Sequence, residues 1–135
     1  MLRVDKDGFF MVTKDFPIIP LGTFIFDIIS SQFAVENIRF FMPDPADINK
    51  PGEQIPLTGI TSSIVLSDET EPGKQVAEFS SKDGANLVVS PNNFISAFFD
   101  KQEMINLSVD DFAYIWFLEK GGIKYPIFQG LIRIL

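Results

Sequence analysis

Asp110-Asp111-Phe112-Ala113-Tyr114-Ile115-Trp116-Phe117-Leu118 is followed by Glu119-Lys120-Gly121-Gly122 and then by a second apolar run at 123–135. The two glycines accept the positive φ angles of a tight hairpin turn without steric cost. Aromatic and β-branched residues dominate both runs, and such residues suit a pleated, half-buried surface. This stretch predicts a β-hairpin, and it decides the fold class of the chain.

The first strand of this hairpin is apolar on both faces. Side-chain alternation places Phe112, Tyr114, Trp116 and Leu118 on one face and Ala113, Ile115 and Phe117 on the other. One face can line the core of a domain, whereas the other needs a second cover. We predict that Ile115 and Phe117 form part of a contact with another chain. The alternative is that they pack under a loop of the same domain, since single exposed hydrophobic residues are ordinary.

The rest of the chain alternates between short strand patterns and turn signals. Strands are predicted near 9–12, 23–29, 34–42, 62–66, 74–79, 86–89 and 94–99, although the last segment also fits a helical turn. A single turn of helix is expected within 100–111. Many short strands at spacings of about 8–12 residues are typical of an antiparallel sandwich or barrel. We therefore predict one all-β domain spanning residues 1–135.

The longest predicted loop is Pro43 to Pro56, which contains four prolines and Gly52. This composition argues against regular structure, and loops on a rigid scaffold often carry recognition. Asp44 and Ile48 are the interface candidates in this loop. Asp44 and Asp47 are also conceivable cation ligands, but carboxylates in a proline-rich loop are more often solvated turn residues.

Composition excludes several classes of function. The chain has no Cys and no His, which removes thiolate and Ser-His nucleophile systems and the commonest transition-metal ligand. The net charge of −7 opposes binding to nucleic acid or to anionic membranes. No segment resembles a secretory signal, and no apolar run approaches the roughly 20 residues of a membrane span. No cofactor is expected.

Several residue groups suggest chemistry but have simpler interpretations. Asp110-Asp111 is the one carboxylate pair beside the aromatic strand, yet neighbours on a strand point in different directions and suit a facing acid and base poorly. Trp116 and Tyr125 could stack on a sugar with help from the Asp residues of loop 43–56, although the spacing of Trp116 favours the core. The acidic segment 68–71 and the Asp-x-Asp at 5–7 are better explained as turns than as metal sites.

Residues 55–135 contain four features in a fixed order. They are a Leu-Thr-Gly strand entry, an Asp-Gly turn, a strand built on Tyr-x-aromatic-x-Leu, and a return strand with Gly before alternating aliphatic residues. In this chain they are Leu57-Thr58-Gly59-Ile60, Asp83-Gly84, Tyr114-Ile115-Trp116-Phe117-Leu118 and Gln129-Gly130-Leu131-Ile132-Arg133-Ile134. In this order the stretch resembles small tail proteins of siphophages, namely the immunoglobulin-like domain that opens upper baseplate proteins and the collar protein of T-five-like phage tails.

This resemblance implies an immunoglobulin-like antiparallel β-sandwich of seven to nine strands with no catalytic residues. It implies a structural protein of a bacteriophage tail that assembles in the host cytoplasm, forms a homo-oligomeric ring in the virion and anchors fibres or other tail proteins. Phe117 departs from the pattern, which often has a polar residue before the closing Leu, and an outward aromatic suggests a subunit contact. The alternative is a carbohydrate- or ligand-binding β-sandwich.

Overall fold

The structure, a computed structural model, describes residues 8–11, 22–28, 32–71, 73–84, 86–107 and 111–135. These residues form ten strands and one short helix. They are β1 Gly8–Met11, β2 Gly22–Ile28, β3 Gln32–Asp44, β4 Asp47–Gln54, β5 Thr61–Asp68, β6 Gln75–Ser80, β7 Leu87–Val89, β8 Ile95–Asp100, α1 Lys101–Ile105, β9 Asp111–Lys120 and β10 Ile123–Ile134. The predicted turn at 5–7 lies outside the described residues.

The strands form two five-stranded sheets. The first sheet has the order β1-β3-β8-β7, with β4 paired to β3 beside this path, and the second has the order β2-β10-β9-β5-β6. The predicted all-β fold with two sheets is confirmed. The described strands number ten rather than seven to nine, and two pairs, β1 with β3 and β2 with β10, are parallel. The immunoglobulin-like assignment stays a prediction.

One hydrophobic cluster fills the space between the sheets. From β9 it receives Phe112, Tyr114, Trp116 and Leu118, which are all buried as the alternation predicts. The indole of Trp116 packs edge-on against the ring of Phe128 in β10, with 5.5 Å between ring centroids. Such aromatic pairs contribute about 0.5–1.5 kcal/mol beyond the burial of their area.

The hairpin of β9 and β10 turns at Gly121 and Gly122, whose φ angles are 59° and 79°. The pairing shifts register between Pro126 and Phe128, because one strand carries an extra residue there. As a result Ile127 and Phe128 are both buried although they are neighbours in sequence. The β-bulge therefore lets Tyr125 and Phe128, which lie opposite Leu118 and Trp116, both pack against the core although they are three residues apart.

In the strand predicted at 34–42, the side chains do not follow the facing that strict alternation predicts. Strict alternation opposes Val35 to Ile38 and Phe40, yet all three side chains are buried. The register between β3 and β8 shifts between Val35 and Ile38, so the residues between them form an irregularity that reverses the facing. A pattern of period two cannot anticipate this reversal.

The prediction of an irregular loop at 43–56 is wrong. β3 continues to Asp44, and β4 returns along it, so that residues 42–54 form a hairpin that we call the arm. Pro43 lies opposite Pro51, and the register is irregular on both sides of Pro43, so the missing proline donors fall where the ladder is already interrupted. Among the described strands β4 pairs with β3 alone, an edge position that tolerates proline.

The segment at 94–99 is a strand, and the expected single helical turn follows it as α1. Asp100 caps this helix, because its side chain accepts a hydrogen bond from the Gln102 backbone N–H at 2.9 Å. Met104 is the residue of α1 that is buried. Among the described residues no helix is long and apolar enough to span a membrane.

Candidate assembly surfaces

The outward face of the second sheet carries a group of apolar side chains, which is interrupted on β10 by the exposed Gln129 opposite Ile115. Cross-strand pairing places Val65 beside Ile115, Phe117 beside Pro126, and Ala113 beside Leu131 and then Ile25. We call this group the outer patch: Ile25, Val65, Ala113, Ile115, Phe117, Pro126 and Leu131. Its members come from four neighbouring strands, and all are half-buried or exposed. Apolar side chains grouped on an outward face and bordered by polar residues are typical of an interaction site.

Ile115 and Phe117, the two interface candidates of β9, both lie in the outer patch, and their contact with another chain stays a prediction. Ile115 is 40% exposed, whereas Phe117 is half-buried. The ammonium group of Lys124 lies 5.8 Å from the centroid of the Phe117 ring, within the range of a cation–π contact. Lys124 is itself exposed and pairs across the hairpin with Glu119. A cation therefore borders the patch where β9 and β10 meet.

Sequence reasoning found the two β9 members of the patch and missed the others. Val65, Leu131 and Ile25 lie in segments whose sequence does not reveal which strands they join. The alternation of Ser63, Val65 and Ser67 on β5 is the one available signal, and it shows only that Val65 shares a face with two serines. Pairing between distant strands creates the patch.

The arm carries the other two interface candidates, Asp44 and Ile48. Ile48 is 73% exposed, the most exposed of the large hydrophobic side chains in the described part of the chain. At the tip, the side chains of Asp44 and Asp47 accept hydrogen bonds from the backbone N–H groups of Ala46 and Asn49 at 2.9 and 3.0 Å. These bonds shape the turn. Asp44 and Asp47 therefore lie together at the tip as turn-forming residues, which is the interpretation that the sequence favours over cation binding.

The close approach of the two strands of the arm depends on Gly52. A Cβ atom at Gly52 would lie 3.0 Å from the Cα and N of Asp44 and from the carbonyl oxygen of Met42. All three are backbone atoms, which cannot rotate away. Gly52 therefore holds the tip in its compact form.

The arm and the outer patch belong to opposite layers of the sandwich, and Phe117 and Pro126 are the members of the patch nearest the end from which the arm extends. The arm extends from β3 in the first sheet, and the patch belongs to the second sheet. Residues 55–60 lead from the arm to Thr61, which pairs with Glu119 beside the β9–β10 turn. Two sheets in a sandwich pack about 10 Å apart, so the core separates the arm from the patch of its own molecule.

Trp116 is unavailable to a ligand. Its side chain is fully buried, and its Nε1 donates a hydrogen bond to Ser62 Oγ at 2.7 Å. The Ser62 hydroxyl in turn donates to the Phe117 carbonyl oxygen at 3.2 Å. The interpretation of Trp116 as a core residue is confirmed, and the sugar-stacking role suggested for it is wrong. Tyr125 is half-buried and packs against the core.

The carboxylates do not form a candidate metal centre within the described ranges. No group of three or more Asp or Glu side chains is placed there to hold a metal ion. Asp111 enters β9 opposite Arg133, while Asp110 lies outside the described residues. In the turn at 68–71, Thr70 donates backbone and side-chain hydrogen bonds to Asp68, and these bonds lower the pKa of that carboxyl.

An open depression lies at the same end of the sandwich as the arm. Its lining is Leu57, Thr58, Gly59, Ile60, Val89, Ser90, Pro91 and Asn93. Asn93 holds it together: its φ is 64°, its Oδ1 accepts a hydrogen bond from the Leu57 N–H at 2.9 Å, and its carbonyl oxygen accepts one from Gln54 Nε2. Asn tolerates this left-handed conformation better than most residues. The lining contains no charged side chain. The hydrogen bonds of Asn93 to Leu57 and Gln54 give this residue a structural role.

No protein-family model matches the chain, and no curated protein matches it.

Proposed function

We propose that this protein is a structural, non-enzymatic subunit of a bacteriophage tail, at the tail tip, baseplate or collar, which assembles with copies of itself into a ring. The outer patch is the observation that carries the assembly part of this proposal. A half-exposed aliphatic and aromatic surface drawn from four strands is costly to leave in water, and a second protein surface would remove it from solvent.

The tail assignment is supported by the order of motifs in residues 55–135 and by the strand order. If β1, β3, β8 and β7 are read as strands A, B, E and D, and β10, β9, β5 and β6 as G, F, C and C′, the strand orders of the two sheets are compatible with an immunoglobulin variable-type arrangement, which supports the proposal. The parallel pairing of β1 with β3 and the arm between B and C are departures from it. The virion tail, assembled in the host cytoplasm, is the location that follows from the proposal.

A ring requires two different contact surfaces on each subunit, because a self-complementary surface closes as a dimer. The outer patch supplies one surface, and the arm with Asp44 and Ile48 supplies the other. Fibres or other tail proteins would contact the remaining surface. The proposal involves no cofactor, nucleic acid or membrane.

A matched pair of variants tests the assembly role. Ile115 and Ile105 are 40% and 45% exposed, but Ile105 lies on α1 and outside the outer patch. Light scattering over a concentration series should give a discrete oligomer for the native chain. Ile115→Asp should shift the mass to the monomer, and Ile105→Asp should leave it unchanged. Equal behaviour of the two variants, or a native chain that stays monomeric, contradicts the role of the patch.

The tail assignment has its own test. An antibody against the purified chain should label one defined position along the tail when phage particles from the genome that encodes it are viewed by immunogold electron microscopy. Labelling of the head, or particles without label, would contradict it.

A further inference from the structure

We infer that the arm of one copy docks on the outer patch of the next copy, with Ile48 on the patch and Asp44 facing Lys124. This inference rests on the proposed assembly and names which two surfaces meet. The alternative arrangement, in which two outer patches face each other, uses no residue of the arm.

The first support is the match between the two surfaces. The arm presents an exposed aliphatic side chain, Ile48, near an acidic residue, Asp44. The patch presents Ile115 and the Phe117 ring next to a basic residue, Lys124. Neither Asp44 nor Lys124 forms an ion pair with any described residue; the carboxylate accepts from Ala46 N–H, and the ammonium group faces the Phe117 ring. Opposite charges at the rim of an apolar contact steer and orient association.

The second support is the position of the arm and of the outer patch in the sandwich. The arm extends from the first sheet and the patch covers the second, and the arm starts at the end that carries the β9–β10 turn, where Phe117, Pro126 and Lys124 are also found. Copies stacked with the first sheet of one against the second sheet of the next bring an arm alongside a patch at every junction. The patch-to-patch arrangement would instead leave Ile48 exposed and would end at two copies. The arm-to-patch contact is heterologous, so it repeats until a ring closes.

Mixing two single-site variants distinguishes these arrangements. Ile48→Ser has a defective arm and an intact patch, whereas Ile115→Asp has an intact arm and a defective patch. Each variant alone should be monomeric, with a dissociation constant at least about tenfold above that of the native contact, as loss of a buried Ile predicts. Their equimolar mixture should contain a complex of two chains, because one intact arm meets one intact patch. A mixture that remains monomeric overturns the inference.

The pairing of Asp44 with Lys124 is tested by a charge change whose effect on assembly should reverse when Lys124 is replaced by Glu. Asp44→Asn keeps the Oδ1 that accepts the Ala46 N–H and removes the charge, so it should weaken assembly of the native chain about two- to fivefold. In the Lys124→Glu background the same change removes a repulsion and should strengthen assembly. Lys82→Glu makes the same charge change in the exposed turn after β6 and serves as the control. If Asp44→Asn has the same effect in both backgrounds, the pairing of Asp44 with Lys124 is overturned.

The outcomes separate this inference from the proposed function. If the chain assembles and Ile115→Asp disrupts it, while Ile48→Ser and Asp44→Asn change nothing, the patch assembles by another contact and the arm inference alone fails. If the native chain is monomeric at all concentrations, the proposed self-assembly fails as well.

Discussion

Replacing Ser62 by Ala removes the hydroxyl that links the Trp116 indole to the backbone of β9. The indole N–H donates to Ser62 Oγ at 2.7 Å, and this oxygen donates to the Phe117 carbonyl at 3.2 Å. Both Ser62 and Trp116 are fully buried, so water does not reach the N–H in the folded protein. The variant therefore leaves a buried donor without a partner.

The magnitude follows from that orphaned donor. A buried polar group deprived of its partner costs about 1–3 kcal/mol, so we expect Ser62→Ala to lower the free energy of unfolding by about 2 kcal/mol. For 135 residues the entropy of unfolding is roughly 0.28 kcal/mol/K, which converts this loss into a fall in Tm of about 7 °C. Urea denaturation followed by Trp116 fluorescence measures the free energy, and calorimetry measures the Tm.

The neighbouring residue provides the control. Ser63 is also buried, but it lies on the opposite face of β5, beside Phe117 of the outer patch, and outside this hydrogen-bond chain. Ser63→Ala should change stability by no more than about 0.5 kcal/mol. In a Trp116→Phe background the donor is absent, so Ser62→Ala should cost clearly less than in the native chain. An equal cost in both backgrounds would refute the reasoning.

Three further changes probe the backbone and the core. Gly130→Ala should destabilise by at least about 3 kcal/mol in chemical denaturation, because its Cβ would lie 1.8 Å from the Phe24 carbonyl oxygen. Asn93→Asp keeps the acceptor for the Leu57 N–H, so thermal melting should rank it close to native, with Asn93→Gly lower and Asn93→Ala lowest. Burial raises the pKa of Tyr114 above its ordinary 10.0. The contribution of Tyr114 to the free energy of unfolding is therefore complete below pH 10. Above pH 10 this contribution should fall by about 1.4 kcal/mol per pH unit, and Tyr114→Phe should abolish the fall.

Each of these has an outcome that would count against it. Gly84 has a φ of 70° and open space at its Cβ position, so Gly84→Ala measures backbone strain alone, and a cost equal to that of Gly130→Ala would disprove the clash. An Asn93→Ala variant as stable as Asn93→Asp would show that the bond to Leu57 contributes nothing. An alkaline decline that is the same in Tyr114→Phe would assign it to other groups.

The sequence by itself determined the elements that depend on neighbours along the chain. The β9–β10 hairpin follows from Gly121-Gly122, and the inner face of β9 follows from strict alternation at Phe112 to Leu118. The single turn of α1 after Asp100 also follows from local residues. In each case the deciding interactions act within a few residues, where turn conformation and side-chain period are fixed by the backbone.

Tertiary structure decided what depends on a partner far along the chain. Pro43 and Pro51 predict a loop by themselves, but pairing across the hairpin at irregular positions makes a strand acceptable there. The reversal of facing in β3 depends on its register with β8, and the need for glycine at 130 arises from the approach of β2. Likewise, Ile115 and Phe117 become part of a larger apolar surface only when β5, β10 and β2 align beside β9. Residue type sets what a strand can bury, while the register of distant strands sets what it does bury.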